Sequence, residues 1–281
     1  MTGSIAERGT SAVLPWGRRY AMVDPRHYRI DYAINPFMDP AVQPDSARAR
    51  AQWDALVAAL RAAGAEVELI ESRPDSPDMV YAMNLGLAVQ RPEWSTASTV
   101  LMSHMRHPER RRETLTARAW FERAGFAAST PGRDGSGPHF EAGDAFGWRG
   151  ELVVGFGPRT EEAALPVLAA DLGVQVRGLR ITHPGMYHLD LAFCPLDDRR
   201  ALVCPDALEP ASAQMLLDLV PEPLVLTEAE ALSTFCANSV VVGRTVVMPA
   251  CPERVRARLE EWGFEVVLVE VDEFHLGGGS I

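Results

Sequence analysis

Apolar residues along this chain follow two rhythms, short strand-length runs and longer stretches at helical spacing, and the order of the two repeats. Trp53, Leu56, Val57 and Leu60 fall at i, i+3, i+4 and i+7, which predicts one face of a helix starting near Asp45 and stopped by Gly64. Tyr32 to Met38 is the segment leading into that helix, and Glu66 to Ile70 is the strand that follows it. The second copy runs from Met79 to Met102 as a hairpin broken at Arg91-Pro92-Glu93, with a helix from about Pro108 to Ala124 behind it.

Three further copies are clearer. Ala145 to Phe156 reads as a hairpin turning at Arg149-Gly150, followed by a helix from Thr160 to Leu172 capped by Gly173 and the strand Val174 to Ile181. Leu189 to Cys204 turns at Asp197-Asp198 and leads to the helix Ala211 to Val220 and the strand Leu224 to Thr227. Ser239 to Met248 turns at Gly243-Arg244, with the helix Pro252 to Trp262 and the strand Phe264 to Val271 behind. The predicted class is therefore α/β, built from repeated strand-strand-helix-strand units. Each unit is too small to bury its own apolar face, so the copies must share a core, and five of them fit a closed ring of small blades. No interior linker interrupts them, although Thr130 to Gly137 is a Gly/Pro/Ser-rich loop that could cover a site.

Composition narrows the function. At 281 residues, 47% hydrophobic and 23% charged, the chain is globular, and its longest apolar runs are of strand length, far below the roughly 20 residues a membrane span needs. Residues 1–12 lack the apolar centre of a secretory signal, which points to the cytoplasm. A formal net charge of −11 argues against nucleic acid or an anionic membrane as partner and suits a cationic small molecule. Cys194, Cys204, Cys236 and Cys251 lie far apart in apolar contexts and read as buried reduced thiols. The basic run Arg106 to Arg112, interrupted by Glu109, reads as the solvated first turn of a helix.

Polar residues gather at matching points of the units, where the hairpins begin. They form four segments: Pro77-Asp78-Met79-Val80-Tyr81-Ala82-Met83-Asn84, Phe140-Glu141-Ala142-Gly143-Asp144, Gly157-Pro158-Arg159-Thr160 and Met186-Tyr187-His188-Leu189-Asp190. Taken singly, each reads as a turn, a surface charge or a satisfied core histidine. Together, several carboxylates beside one histidine are costly to bury without a cationic guest, and a guanidinium, with N–H donors in a planar fork, matches carboxylates bidentately.

With those motifs in place, the chain resembles the guanidino-group modifying enzymes: arginine deiminase, dimethylargininase, arginine dihydrolase and the amidinotransferases. The likeness spans Tyr32-Ala33-Ile34-Asn35-Pro36-Phe37-Met38 through the four segments above, Ala237-Asn238-Ser239, Val247-Met248-Pro249 and the terminal Gly277-Gly278-Gly279-Ser280. It implies a five-bladed pseudo-symmetric α/β propeller, the pentein fold. It implies that His188 is the acid/base and Glu141 its carboxylate partner. Asn84 and Asp190 would hold the guanidinium nitrogens, Asp78 and Asp144 would join the binding set, and Arg159 and Asn35 would meet the amino-acid end of the substrate. In the family, a Cys shortly after the glycine run attacks the guanidinium carbon and gives a covalent thiouronium intermediate, which water resolves.

Three departures from the family pattern bear on the reading. No Cys follows Gly277, so the nucleophile is expected just after Ile281, and residues 1–281 are read as one catalytic domain, with 1–14 flexible and the C-terminal end truncated. Met83 and Asn84 stand where relatives often carry acidic or charged residues, and this Asn resembles the arginine dihydrolase branch. His104 stands where relatives commonly have an Arg for the substrate carboxylate. The expected activity is hydrolysis of the guanidino C–N bond of arginine or an Nω-methylated arginine, giving citrulline or ornithine plus amine or ammonia. An amidinotransferase and a catalytically silent guanidino-binding relative are the alternatives. No cofactor or metal is implied, and a homo-oligomer stays open.

Overall fold

The computed structural model describes residues 18–89, 98–132 and 136–281. Among the described residues, the α/β architecture is a set of five small separate sheets. Strand β1 (Arg19–Val23) is followed by helix α1 (Ser46–Ala62) and β2 (Glu66–Ile70), and β1 and β2 pair in parallel. Three strands make each of the other sheets: β3 (Gly86–Val89), β4 (Thr99–Met102) and β5 (Ala127–Ser129) in the second, and β6 (Ala145–Trp148), β7 (Glu151–Phe156) and β8 (Val176–Arg180) in the third. The fourth holds β9 (Phe193–Pro195), β10 (Arg200–Val203) and β11 (Glu222–Val225), and the fifth β12 (Val240–Val242), β13 (Thr245–Met248) and β14 (Glu265–Leu268). In all four the first two strands are antiparallel and the third runs parallel to the middle one, reached across a helix. Those helices are α2 (Glu113–Arg123), α3 (Ala164–Leu172), α4 (Pro210–Leu219) and α6 (Glu253–Glu261).

Local chemistry accounts for the boundaries. Asp45 caps α1 by accepting the N–H groups of Ala47 and Arg48, each at 2.9 Å, and the face carrying Trp53, Leu56, Val57 and Leu60 is buried as its spacing predicts. The middle strands read as unbroken apolar runs because they are covered on both faces: Val100 to Met102, Ala201 to Val203 and Val246 to Met248 are all fully buried. Burying a Val, Leu or Met side chain stabilises by about 1.5–3 kcal/mol, so these strands are the main apolar contribution to joining the units. The β6–β7 turn falls at Arg149 (φ 53) and Gly150 (φ 82), two consecutive left-handed residues as a two-residue hairpin of the primed kind requires.

Several expectations shift. Tyr32 to Met38 forms no strand; Asn35 Oδ1 accepts the Phe37 N–H at 2.9 Å and folds the Asn-Pro pair into a turn. Among the described residues, the first unit therefore shows one strand before its helix rather than two. The helix expected from Pro108 begins at Glu113 after one 3-10 turn, and the helix expected from Thr160 begins at Ala164 because Thr160 is bonded elsewhere, as described below. Two short helices escaped the pattern, α5 (Glu228–Thr234), closed by a Thr227/Glu230 capping box, and α7 (Asp272–His275). The break at Arg91-Pro92-Glu93 lies outside the described residues, as does part of the Thr130 to Gly137 loop. No helix among the described residues is long and apolar enough to cross a membrane.

Candidate active site

Short turns carry the polar segments to a common point. A 3-10 turn precedes the first strand of three sheets, at Ala82–Leu85, Ala142–Asp144 and Leu189–Leu191, and the middle turn lies against the other two. A cavity of about 350 Å³ opens there, lined among others by Asn35, Asp78, Asn84, Arg110, Arg159, Tyr187, His188, Asp190, Asn238 and the segment 277–281.

His188 and Glu141 come together. His188 Nε2 sits 2.8 Å from Glu141 Oε2, and Glu141 is 0% exposed. That contact leaves the other ring nitrogen, Nδ1, for the cavity. Arg159 Nη1 donates to the same Glu141 oxygen at 3.2 Å and its Nη2 to the Ile34 carbonyl at 3.1 Å. Burial disfavours the Glu141 anion, but the bond and charge of His188 and the charges of Arg159 and Arg110 outweigh it and hold the carboxyl well below its ordinary range. Burial dominates at His188 and lowers its pKa despite Glu141, so a neutral imidazole faces an ionised carboxylate at neutral pH.

The remaining predicted residues divide by what they face. Asp190 lines the cavity, and burial, only partly offset by Arg159, raises its pKa to about 7. Asp78 lines it too, raised by burial against the charge of Arg110, and its Oδ1 finds no hydrogen-bond partner among the described residues. Asn84 lines the cavity, and its Oδ1 accepts the Gly143 N–H at 3.2 Å. A side chain at Gly143 would strike Asn84 Oδ1 and lie 3.0 Å from Asp190 Oδ2, so glycine there keeps the two polar groups side by side.

Asp144 does not line the cavity. It is 0% exposed and spends its oxygens on backbone, accepting Leu189 N–H at 2.9 Å and Thr160 N–H at 3.2 Å, the residues next to His188 and Arg159. Asn35 lines the cavity but is engaged at both ends, its Oδ1 by Phe37 and its Nδ2 by Gly277 O at 2.9 Å.

Sequence reasoning missed Arg110. The run Arg106 to Arg112 was expected in solvent, yet Arg110 is 3% exposed at the cavity wall and pairs with the fully buried Glu113, its Nη2 2.8 Å from Glu113 Oε2. Only the i, i+3 spacing of the two charges hinted at the pair. His104 turns elsewhere, its Nδ1 2.9 Å from the Gly137 carbonyl. The four cysteines are free thiols with pKa values pushed up by burial, to about 12 at Cys194 and about 11 at Cys204 and Cys251, which suits packing rather than nucleophilic attack.

Residues 31–281 match the family model described as N,N dimethylarginine dimethylhydrolase, eukaryotic. The chain is 34% identical to the N(G),N(G)-dimethylarginine dimethylaminohydrolase of Mycobacterium tuberculosis over 269 residues, 95% of this chain and 84% of the relative. It is 33% identical over 266 residues to the bifunctional arginine dihydrolase/ornithine cyclodeaminase ArgZ of Synechocystis, covering 93% of this chain but 36% of that longer protein. Its backbone superposes with a TM-score of 0.86 and 32% identity on the crystal structure of the N-terminal domain of cyanobacterial ArgZ, an arginine dihydrolase, as a cysteine-to-serine variant bound to substrate, covering 93% of this chain and 94% of that one. By sequence and by fold, this chain belongs to the dimethylarginine dimethylaminohydrolase family.

Proposed function

We propose that this chain is a Cys/His-dependent hydrolase of the guanidino C–N bond of arginine or an Nω-methylated arginine. The observation that carries the reading is the buried His188–Glu141 pair at the wall of a cavity that also holds the carboxyl groups of Asp78 and Asp190. A guanidinium supplies the positive charge that those two buried acids lack.

The attacking thiol is proposed to follow Ile281, because the segment 277–281 lines the cavity together with His188. Its thiol gives its proton to the neutral His188 imidazole as the sulfur forms a C–S bond to the guanidinium carbon; the C–N bond breaks, and the departing nitrogen takes that proton from His188. Neutral His188 then accepts a proton from water as the oxygen adds to the thiouronium carbon, and C–S cleavage releases citrulline while the departing sulfur takes that proton from His188 and returns to the thiol. Glu141 holds the ring and stabilises its protonated form during each transfer.

Asn84 favours the arginine dihydrolase branch. A guanidinium has only donors to offer, whereas Asn84, whose Oδ1 already accepts from Gly143, has in Nδ2 a donor that matches the carbonyl oxygen of a ureido group. Citrulline held there would undergo a second hydrolysis, to ornithine, carbon dioxide and ammonia.

Three coarser features belong to the same reading. The contact among the 3-10 turns at the cavity supports a ring of units, the five-bladed α/β propeller. Residues 1–281 are taken as one catalytic domain, and four free thiols suit a reducing, cytoplasmic setting. The test is incubation with arginine and with asymmetric dimethylarginine while citrulline, ornithine, ammonia and dimethylamine are quantified. Ornithine with two ammonia per arginine supports the dihydrolase branch, citrulline with dimethylamine supports the dimethylargininase branch, and no product from either overturns the proposal.

A further inference from the structure

Four side chains hold the carbonyls of one short segment. Tyr28 Oη donates to Glu273 O at 2.9 Å and Tyr81 Oη to Phe274 O at 2.7 Å. Asn35 Nδ2 donates to Gly277 O at 2.9 Å and Tyr187 Oη to Gly278 O at 2.5 Å. The glycines are explained by this grip rather than by flexibility. A side-chain carbon at Gly277 would collide with Tyr81 Oη and lie 2.9 Å from Tyr28 Oη, one at Gly278 would lie 2.7 Å from Tyr187 Oη, and one at Gly279 would lie 2.5 Å from the Tyr81 ring. The backbone is bare because the tyrosines lie directly on it.

Tyr187 differs from the other three in what else it touches. It directly precedes His188, and the Arg159 guanidinium stacks over its ring, 4.5 Å from the centroid. Arg159 in turn bonds Glu141, which bonds His188. One side chain thus ties the glycine segment at its hydroxyl to the His188–Glu141–Arg159 group at its ring and backbone. Asn35 completes the tie, with its Nδ2 3.3 Å from Tyr187 Oη as well as on Gly277 O.

We propose that Tyr187, supported by Asn35, is a positioning residue that sets the separation between His188 and the segment 277–281, and so between the proton carrier and the attacking group. The proposal rests on the hydrolase reading above. Misplacing a reacting group by about 1 Å costs on the order of 10²-fold in rate, so a single hydroxyl at this junction bears on turnover more than on binding.

The experiment uses the full-length protein and the Tyr187→Phe variant, which keeps the ring under Arg159 and removes the hydroxyl from Gly278 O. With the substrate that the wild type turns over, kcat should fall by about 10- to 100-fold while KM changes far less. The acid limb of kcat against pH should stay where it is, since Glu141 and Arg159 still hold His188. Unchanged kcat, a loss confined to KM, or an acid limb that moves together with kcat would each overturn the proposal. Should Tyr187→Phe fail to fold, Asn35→Asp takes its place: it keeps the acceptor for Phe37 and replaces the donor to Gly277 O with a repelling oxygen, and the same kcat-selective loss is expected. An active wild type with a fully active variant refutes the positioning role alone. A wild type inert toward arginine and dimethylarginine refutes the hydrolase reading and this role with it.

Discussion

His188 Nε2 lies 2.8 Å from Glu141 Oε2, and the two residues belong to different units of the repeat, Glu141 just before β6 and His188 just before β9. The contact exists only because the units are packed together. It fixes the ring, directs one nitrogen inward and leaves the other for a ligand.

His188→Ala should lower kcat by about 10²- to 10⁴-fold, the usual range of a general acid–base contribution, with a modest loss of thermal stability. Steady-state kinetics alongside a melting curve checks this, and near-normal turnover would remove His188 from the mechanism.

The same residue should contribute to acid sensitivity. Unfolded, His188 binds a proton near pH 6.5; folded, burial holds its pKa down to about 4. Unfolding therefore takes up a proton between those values, and this contribution to stability, complete above pH 6.5, is lost as the pH falls toward 4. Melting curves from pH 7 to pH 4 should fall less steeply in His188→Ala than in the wild type.

Asp190 works in the opposite sense. Its folded pKa of about 7 stands above the ordinary 3.8, so its contribution is complete below 3.8 and is lost as the pH rises through 7. Asp190→Asn should gain stability relative to the wild type between pH 5 and pH 8. Arginine binding near pH 7 should release a proton from Asp190, seen by calorimetry as a binding heat that varies with the ionisation enthalpy of the buffer.

Asp190 is also expected to separate substrates. Its two oxygens suit nitrogens that carry hydrogens, so Asp190→Asn should lower kcat/KM for arginine more than for dimethylarginine. Equal losses for both would refute that pairing.

Arg110 and Glu113 form a buried ion pair, and removing one partner strands the other. Arg110→Met should destabilise by about 3–5 kcal/mol, and adding Glu113→Leu should recover much of the loss. Chemical denaturation of the single and double variants tests it, and additive losses would show that the pair is not coupled.

Much of the architecture was legible in local pattern. The β6–β7 hairpin was readable because Arg149-Gly150 is a turn signal between apolar runs, and α1 because its apolar face, Asp45 and Gly64 agree. Elements failed where a side chain answered to a distant partner. Helix α3 starts late because Thr160 donates its N–H to Asp144 and accepts the Glu141 N–H at its hydroxyl oxygen, and the turn before α2 is drawn inward by Arg110.

By itself the sequence determined the repeating units, because each depends on residues within a few positions of one another, and it marked the segments around Asp78, Glu141, Arg159 and His188 as the polar points of those units. Only the tertiary structure decided which side chains face the cavity. Asp144 and Asp190 lie in similar short turns, yet Asp144 is spent on the backbone of Thr160 and Leu189 while Asp190 faces the cavity. The same holds for Asn35 and Tyr187, whose partners Gly277 and Gly278 lie far along the chain. Local pattern specifies what a residue can offer, and long-range packing fixes what is there to accept it.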